Sequence, residues 1–437
     1  MNSLNPTFIF SKRENLKKRL ALKFSNFDLN GAILEIKEYI SDFPTEKEIL
    51  PSLYATTLND IGSTSASKSI ARLYAEANDK TREFAKNQLN LEPIVNTVWM
   101  LTRIGEMTDQ TASINHLLAL KQIKKKPILP ILDPNILCNV AFLPYLEDVF
   151  HVLKPGEEAN YYSQYASISS FNTTFINYSH DVYGHYSDAA PGVHKILKNK
   201  NLPHFAFKLK EITRKSAQKF LKKHGLNLED DFVTLHLRES GYLDGERHAW
   251  RNINLDDHLD AIRHLTERGI KVVRIGHKKM KKAPDIPGLI DLSGFDRPPE
   301  VDIFLSAACL FFYGNPSGPC SLAYQFGRPM LYVNVFPYTH ARANSLNQFV
   351  PLIEISSSKT LSLKELYERD ISNIFSPIPY KRMGIQICKI SAVENLNAVK
   401  EMLIKLNSLN QDVPADTMSG TGLPDNIWIT DDSKLLL

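Results

Sequence analysis

In the run FVTLHLRESGY, Phe232 to Tyr242, an apolar strand ends in three ionisable side chains, His236, Arg238 and Glu239. An arginine does not lose its charge at any ordinary pH, so at the end of a buried strand Arg238 needs a partner. Glu239, Asp244 and Asp302 are partners of one kind; a ligand phosphate gripped by the guanidinium fork is another. His236 stands two residues before Arg238, and strand alternation puts both on one face. The imidazole reads either as a hydrogen-bonded core histidine or as a ligand contact. Glu239 reads either as a general base or as the carboxylate that holds Arg238 or Arg251 in place.

Similar groups recur wherever a strand is expected to end. The loop after the first strand carries Arg247, His248, Arg251 and Asn252. "IKVVRIGH" delivers Arg274, Gly276 and His277, and "PMLYVNV" delivers Asn334. "CLFFYGNPSGP" delivers Gly314, Asn315, Ser317 and Gly318 at the start of a helix. With Ser317 or Gly318 as N-cap, the helix would aim backbone N–H groups and the positive end of its dipole at an anion such as phosphate. The chain holds neither a P-loop nor a GxGxxG motif, so this turn alone is also compatible with an ordinary strand–helix connection.

The elements that must position these residues alternate clearly from about residue 210. A basic helix over Thr213–His224 leads to the strand Phe232–Leu237. Next comes a helix with Leu255, Leu259, Ile262 and Leu265 on one face, capped by Gly269. "IKVVRIG", "GLIDLSG", "CLFFYGN" and "PMLYVNV" read as further strands, separated by the helices "VDIFLSAA" and "PSGPCSLAYQFG". Such alternation predicts a parallel, doubly wound sheet. Right-handed crossovers then bring every strand's C-terminal end to one edge, where ligands bind.

Earlier in the chain the pattern differs. "NLKKRLALKFSNFDLNGAILEIKEYISDF", "LYATTLNDIG" and "SASKSIARLYAEA" space their apolar residues as helices do, with Pro44 ending the first segment. From Lys126, "PILPILDPNILCNVAFLPYLEDVFHVL" and "FNTTFINYSHDVYGHYSDAAPGVHKIL" suggest an α/β domain with long loops. The expected division is a helical region over 1–120, an α/β domain over 121–210, a nucleotide-binding domain over 211–410 and a loosely docked tail over 411–437. In that tail Trp428 is the residue able to cover an apolar surface.

Composition narrows the classes. The chain has 437 residues, 43% hydrophobic and 23% charged, with a formal net charge of +4. This suits a globular protein of two or three domains and gives no electrostatic case for nucleic acid. The runs "KQIKKKP" and "RKSAQKFLKKHG" read as solvated faces, whereas "HKKMKK" (His277–Lys282) follows a strand end and would attract an anionic ligand or a membrane surface. Cys138, Cys309, Cys320 and Cys388 lack the spacing of a disulfide framework or zinc site. No signal peptide or run of about 18 apolar residues is seen, so the expected location is the cytoplasm, with the inner face of a membrane as the second expected placement.

"HLRE" at His236–Glu239, "RN" at Arg251–Asn252, and "VDIFLSAACLFFYGNPSGP…FGRPMLYVN" together resemble bacterial glycosyltransferases of surface-polysaccharide loci. More distantly they are similar to fucosyltransferase-like GT-B enzymes. The likeness spans roughly residues 230 to 335, and "ENLNAVKEML" near the end is also similar. The resemblance implies a GT-B-like α/β fold, in which two Rossmann-like domains face a cleft, here with an α-helical N-terminal region. It also implies that Arg238 contacts the donor diphosphate and that Ser317 lies in the donor site. Glu239 stands where many fucosyltransferase-like enzymes carry a second basic residue, so GDP-fucose is not implied as donor.

On this reading Arg238 and Glu239 are the expected catalytic residues. His236, Arg251, Asn252, Arg274, Gly276, Asn315, Ser317 and Gly318 would bind the donor. The chain has no Asp-x-Asp triplet, so no metal and no cofactor beyond the nucleotide-sugar substrate are expected. The partners would be that nucleotide-sugar and a glycan, lipid-linked or protein acceptor, with peripheral membrane association through the run His277–Lys282. Asp133, His180, Asp181 and His185 are alternative bases. A nucleotide-sugar epimerase or hydrolase of the same fold, and a non-catalytic nucleotide-binding protein with a helical interaction module, are the competing readings.

Overall fold

The structure, a computed structural model, describes residues 11–12, 15–16, 18–20, 22–23, 29–43, 79, 83, 85–95, 100–165, 170–171, 176–179, 182–184, 186–203, 205–227, 229–240, 250–369, 371–372, 374, 377–409 and 427–434. The chain divides into two compact units. One is Met1–Ala189 with Asp370–Phe375, and the other is Ala190–Arg369 with Ser376–Leu437. Arg247, His248, Asp244, His180, Asp181, His185 and the two helical runs between residues 51 and 77 lie outside the described residues.

In the first unit, α1 (Leu29–Asp42) and α2 (Ile104–Ala119) are the longest helices described. The strands β1 (Ile94–Val95), β2 (Ile128–Pro130), β3 (His151–Leu153) and β4 (Ser170–Phe171) form a parallel sheet of order β3-β2-β1-β4. The α/β texture therefore begins at Ile94, ahead of the expected division at 120. Two residues are too few for any periodicity to mark β1 in advance. The short helices α3 (Leu143–Val149) and α4 (Glu157–Gln164) follow the strands β2 and β3. Ile94, Ile128, Leu153 and Ala159 pack together, with Tyr162 and Tyr165 against them. A hairpin of β5 (Ile176–Ser179) and β6 (Val182–Gly184) is also described in this unit.

The helix α5 (Tyr186–Asn199) runs on into the second unit. Its His194 stacks on Tyr324 with centroids 5.1 Å apart, and Phe207 N–H donates to the Gln325 carbonyl at 3.1 Å. All four residues belong to the second unit, which begins at Ala190. Next come α6 (Glu211–Lys223), β7 (Phe232–His236), α7 (Leu259–Thr266), β8 (Lys271–Arg274) and β9 (Leu289–Asp291). They are followed by α8 (Pro299–Ala308), β10 (Phe312–Gly314), α9 (Gly318–Gln325), β11 (Met330–Val335) and β12 (Ser345–Phe349). A small antiparallel sheet of β13 (Leu352–Glu354), β14 (Lys359–Thr360) and β15 (Ile385–Ile387) then accompanies α10 (Leu363–Glu368) and α11 (Pro377–Arg382). Last are α12 (Ala392–Leu409), β16 (Ile427–Ile429) and α13 (Asp431–Lys434).

The seven parallel strands of the main sheet run β16-β12-β11-β10-β7-β8-β9. The chain builds outward from β7 to β9, then returns to the other side of β7 and builds through β10 to β12. Strand order thus reverses between β7 and β10. Period-two alternation sorts β7 between two layers. Val233, Leu235 and Leu237 face a core shared with Ile262 and Leu265 of α7 and Ala398, Val399 and Met402 of α12. Phe232 stacks with Phe304 and Thr234 Oγ1 donates to the Leu305 carbonyl at 2.8 Å, so the opposite face meets α8. Fully burying each such aliphatic side chain contributes about 1.5–3 kcal/mol.

Local signals fix the element ends. The Asn254 side chain accepts the Asp256 N–H at 3.2 Å and opens a 3-10 turn, Leu255–His258, that leads into α7. Beyond α7, Gly269 adopts φ +78, a left-handed stop that suits glycine. The described part of the expected loose tail holds β16 and α13: β16 pairs in parallel with β12, and Trp428 packs against the main core.

Candidate active site at the strand-order reversal

In an open parallel sheet the crevice beyond the strand ends at the reversal point is the natural ligand site. Here that point lies between β7 and β10, with Gly314 directly opposite His236 in register. A Cβ on Gly314 would lie 2.8 Å from the His236 carbonyl and 2.7 Å from Phe312 Cε1. Glycine is needed for this close approach of the two strands.

Three segments are bound together just beyond these strand ends. Asn315, fully buried, accepts the Arg238 N–H on Oδ1 at 2.8 Å and donates from Nδ2 to the Arg251 carbonyl at 2.5 Å. Arg251 Nε donates to the Pro316 carbonyl at 2.7 Å, and Ile253 N–H donates to the Arg238 carbonyl at 2.8 Å. Arg238 itself is 6% exposed. The backbones that carry Arg238 and Arg251 are therefore held to the turn that opens α9. Asn252 follows directly, and its buried Oδ1 meets no donor among the described residues.

Ser317 is the N-cap of α9 by backbone position, yet its side chain makes no capping bond. Its hydroxyl instead lies 3.0 Å from His236 Nδ1. Burial first, and then the charge on Arg274, pushes the His236 imidazolium down to a pKa of about 3, so the ring is neutral near pH 7. Cys320, one turn into the helix, donates its thiol to the Asn315 carbonyl at 2.9 Å. Burial pushes that thiol up to about 12.

Arg274 and Glu239 form a different structure from the expected one. Arg274 is fully buried, with Nη2 2.5 Å from Glu239 Oε1 and Nη1 2.8 Å from Asp291 Oδ2. The second Glu239 oxygen accepts the Lys281 N–H at 2.9 Å. Asp291 is held below its ordinary value by its hydrogen bonds from Ser293 and Ala283 and the Arg274 charge, which outweigh the opposing effect of burial. Arg274, expected to touch the donor, is enclosed between two carboxylates. Glu239, expected to pair with Arg238 or Arg251 or to act as base, has both oxygens occupied by Arg274 and the Lys281 backbone. Asp302, another expected partner of Arg238, binds Arg297 in a fork at 2.6 and 3.0 Å.

Gly276 also has a packing role, because a Cβ there would overlap the Met280 thioether. Its carbonyl accepts from Arg297 Nη2 at 2.9 Å. Two arginines escaped the sequence reading. Arg297 ties the loops after β8 and β9 to α8, and Arg342 lies 4.9 Å over the Tyr324 ring. Both stand in loops away from strand ends, where no residue pattern marks them. Asp133, in the first unit, caps a 3-10 turn by accepting the Asn135 N–H at 2.9 Å.

No family model matches this sequence, and no curated protein matches it. Among solved structures the chain is similar to a glycosyl transferase of family 9 from Veillonella parvula, at 15% identity and TM-score 0.29, covering 68% of this chain and 79% of that one. It is similar to the ADP-heptose LPS heptosyltransferase II of Escherichia coli, at 12% identity and TM-score 0.33, covering 76% and 96%. A third similarity is to the dodecameric iron-containing heptosyltransferase TibC in complex with ADP-D-beta-D-heptose, at 13% identity and TM-score 0.31, covering 57% and 60%. Likenesses this low leave the activity to be argued from the site.

Proposed function

We propose that the chain is a glycosyltransferase that moves a sugar from a nucleotide-sugar donor to a glycan, lipid-linked or protein acceptor. The observation that carries this reading is the convergence of Arg238, Arg251 and the start of α9 where strand order reverses. As the sugar departs, negative charge grows on the β-phosphate of the nucleoside diphosphate. Two guanidinium groups and the positive end of a helix, fixed in advance by Asn315, would stabilise that charge without reorganising. Cationic side chains in this role make a metal ion dispensable. The resemblance carried by His236–Glu239 and by Val301–Asn334 supports the same reading.

The acceptor hydroxyl must lose a proton in an inverting transfer. Glu239 is poorly suited to take it, because its charge is already bound to Arg274. Neutral His236, with Nδ1 beside the Ser317 hydroxyl, serves as a donor contact on this reading. Asp133, His180, Asp181 and His185 remain the proposed bases. Peripheral membrane association is part of the proposal only for a lipid-linked acceptor; among the described residues no helix is long and apolar enough to cross a membrane.

Calorimetry and thermal shift with UDP, GDP, ADP, CMP and dTDP test the reading on wild type and Arg238→Ala. One nucleotide should bind wild type, with affinity falling by about tenfold or more in the variant, as expected for loss of a charge-assisted contact. If no nucleotide binds, or Arg238→Ala changes stability alone, Arg238 is a structural group and the donor site is elsewhere.

A further inference from the structure

The basic run read from sequence as a solvated face, Arg214–Gly225, lines a cavity. Lys215, Gln218, Lys219 and Lys222 of α6 form one wall, and Leu226, Asn227 and Glu229 of the following loop form the other, around about 430 Å³. This loop leads into the first residue of β7, so the cavity lies at the N-terminal edge of the main sheet. Arg238 and Arg251 stand at the opposite edge.

The nearby carboxylates are mostly engaged elsewhere. Asp230 accepts from Lys271 Nζ and from the Asn227 N–H, each at 2.6 Å, and these bonds lower its pKa. Glu211 is shared between Arg214 at 3.6 Å and Lys215 at 4.0 Å. Among the described residues neither Lys219 nor Lys222 meets a carboxylate within ion-pair distance. Three lysines against the single Glu229 leave the lining with two positive charges in excess. Lys215, Lys219 and Lys222 recur at helical spacing on one face and span about 10 Å along the axis. A chain of phosphoryl groups matches that spread with the side chains extended, each ammonium acting as a point charge, whereas a single phosphate would have to draw the three together against their mutual repulsion.

We propose that this cavity is a second anion site, for a ligand with two or more linked or adjacent phosphoryl groups, either free in solution or displayed by lipid headgroups. It is independent of the donor site, because it shares no residue with it and lies at the other sheet edge.

The full chain and three variants test it: Lys219→Ala/Lys222→Ala, Lys219→Arg/Lys222→Arg, and Arg238→Ala. Inorganic tripolyphosphate binding is followed by calorimetry, and co-sedimentation is measured with phosphatidylglycerol–phosphatidylcholine vesicles. The two lysines are exposed, so the melting temperature of the alanine variant should match wild type. A free ligand is indicated if tripolyphosphate binds wild type and Arg238→Ala alike while the alanine pair weakens it by about tenfold. A headgroup is indicated if vesicles retain wild type and lose the alanine pair. In either case the arginine pair should restore binding. The proposal is overturned if wild type binds neither probe, or if the alanine pair binds as wild type does.

Discussion

The Asn315 carboxamide accepts the Arg238 N–H at 2.8 Å while its own amide donates to the Arg251 carbonyl at 2.5 Å. One buried side chain therefore sets the spacing of the two arginines at the reversal point. Asn315→Asp keeps the acceptor and removes the donor, bringing a carboxylate oxygen against a carbonyl. It should cost about 2–3 kcal/mol in urea unfolding. Nucleotide affinity should fall with it, even though Asn315 has no role as a charge. An unchanged unfolding midpoint would show that the loop spacing is set elsewhere.

Arg274 gives the largest expected single effect. Arg274→Met leaves Glu239 and Asp291 without their cation, and stability should fall by about 3–5 kcal/mol. Arg274→Lys should recover only part of this, because a single ammonium cannot fork to both carboxylates. If the lysine variant matches wild type in chemical denaturation, the fork geometry is unimportant.

Acid should destabilise the second unit through two desolvated imidazoles, His258 fully buried and His236 partly so. Burial holds both His236 and His258 down to about 3, against an ordinary 6.5. Between those values the unfolded chain binds protons that the folded chain does not. Stability is therefore complete above pH 6.5 and falls on acidification toward 3. Each histidine adds a slope of up to about 1.4 kcal/mol per pH unit. The His258 ring lies 2.7 Å from the hydroxyl of Tyr313, a residue of the core shared with α7 and α12. His258→Gln should thus flatten the stability profile between about pH 4 and 6 without altering nucleotide affinity at neutral pH. A profile as steep as wild type would mean that this ring titrates normally.

Two glycines separate backbone constraint from side-chain constraint. At Gly314 a new Cβ meets the His236 carbonyl of the neighbouring strand, whereas at Gly276 it meets the flexible end of Met280. Gly314→Ala should cost about 1–3 kcal/mol or prevent folding. Gly276→Ala should cost less, since the thioether can rotate away. Paired melting curves decide the order, and the reverse order would refute the reading.

Much of the second unit was legible because its strands are apolar runs with glycine-rich ends. The strand expected over Phe232–Leu237 is β7, "GLIDLSG" contains β9, and "PMLYVNV" contains β11. The two strands beyond β11 were not legible. Ser345–Phe349 carries serine, asparagine and glutamine, and Asn347 Nδ2 is satisfied only by carbonyls of Arg342, Ser345 and Trp428 that folding brings near. Ile427–Ile429 is three residues long and gains its identity from pairing with β12. At the site, types and strand ends predicted which residues would gather, though not their partners. Glu239 follows Arg238 directly, yet it answers Arg274 from the next strand, a choice set by register and invisible to spacing.

The bonds that hold the crevice together join residues far apart in sequence: 77 positions separate Arg238 from Asn315, and 81 separate His236 from Ser317. Closing loops of that length costs entropy before any contact repays it. The crevice therefore exists only once both segments are docked in the sheet, and no short fragment can hold it. Its occupancy is coupled to the integrity of the whole sheet. A ligand present at a hundred times its dissociation constant adds about 2.7 kcal/mol against global unfolding. Amides in strands that no ligand touches, such as β8 and β11, should then exchange with solvent more slowly whenever opening requires the entire unit to come apart.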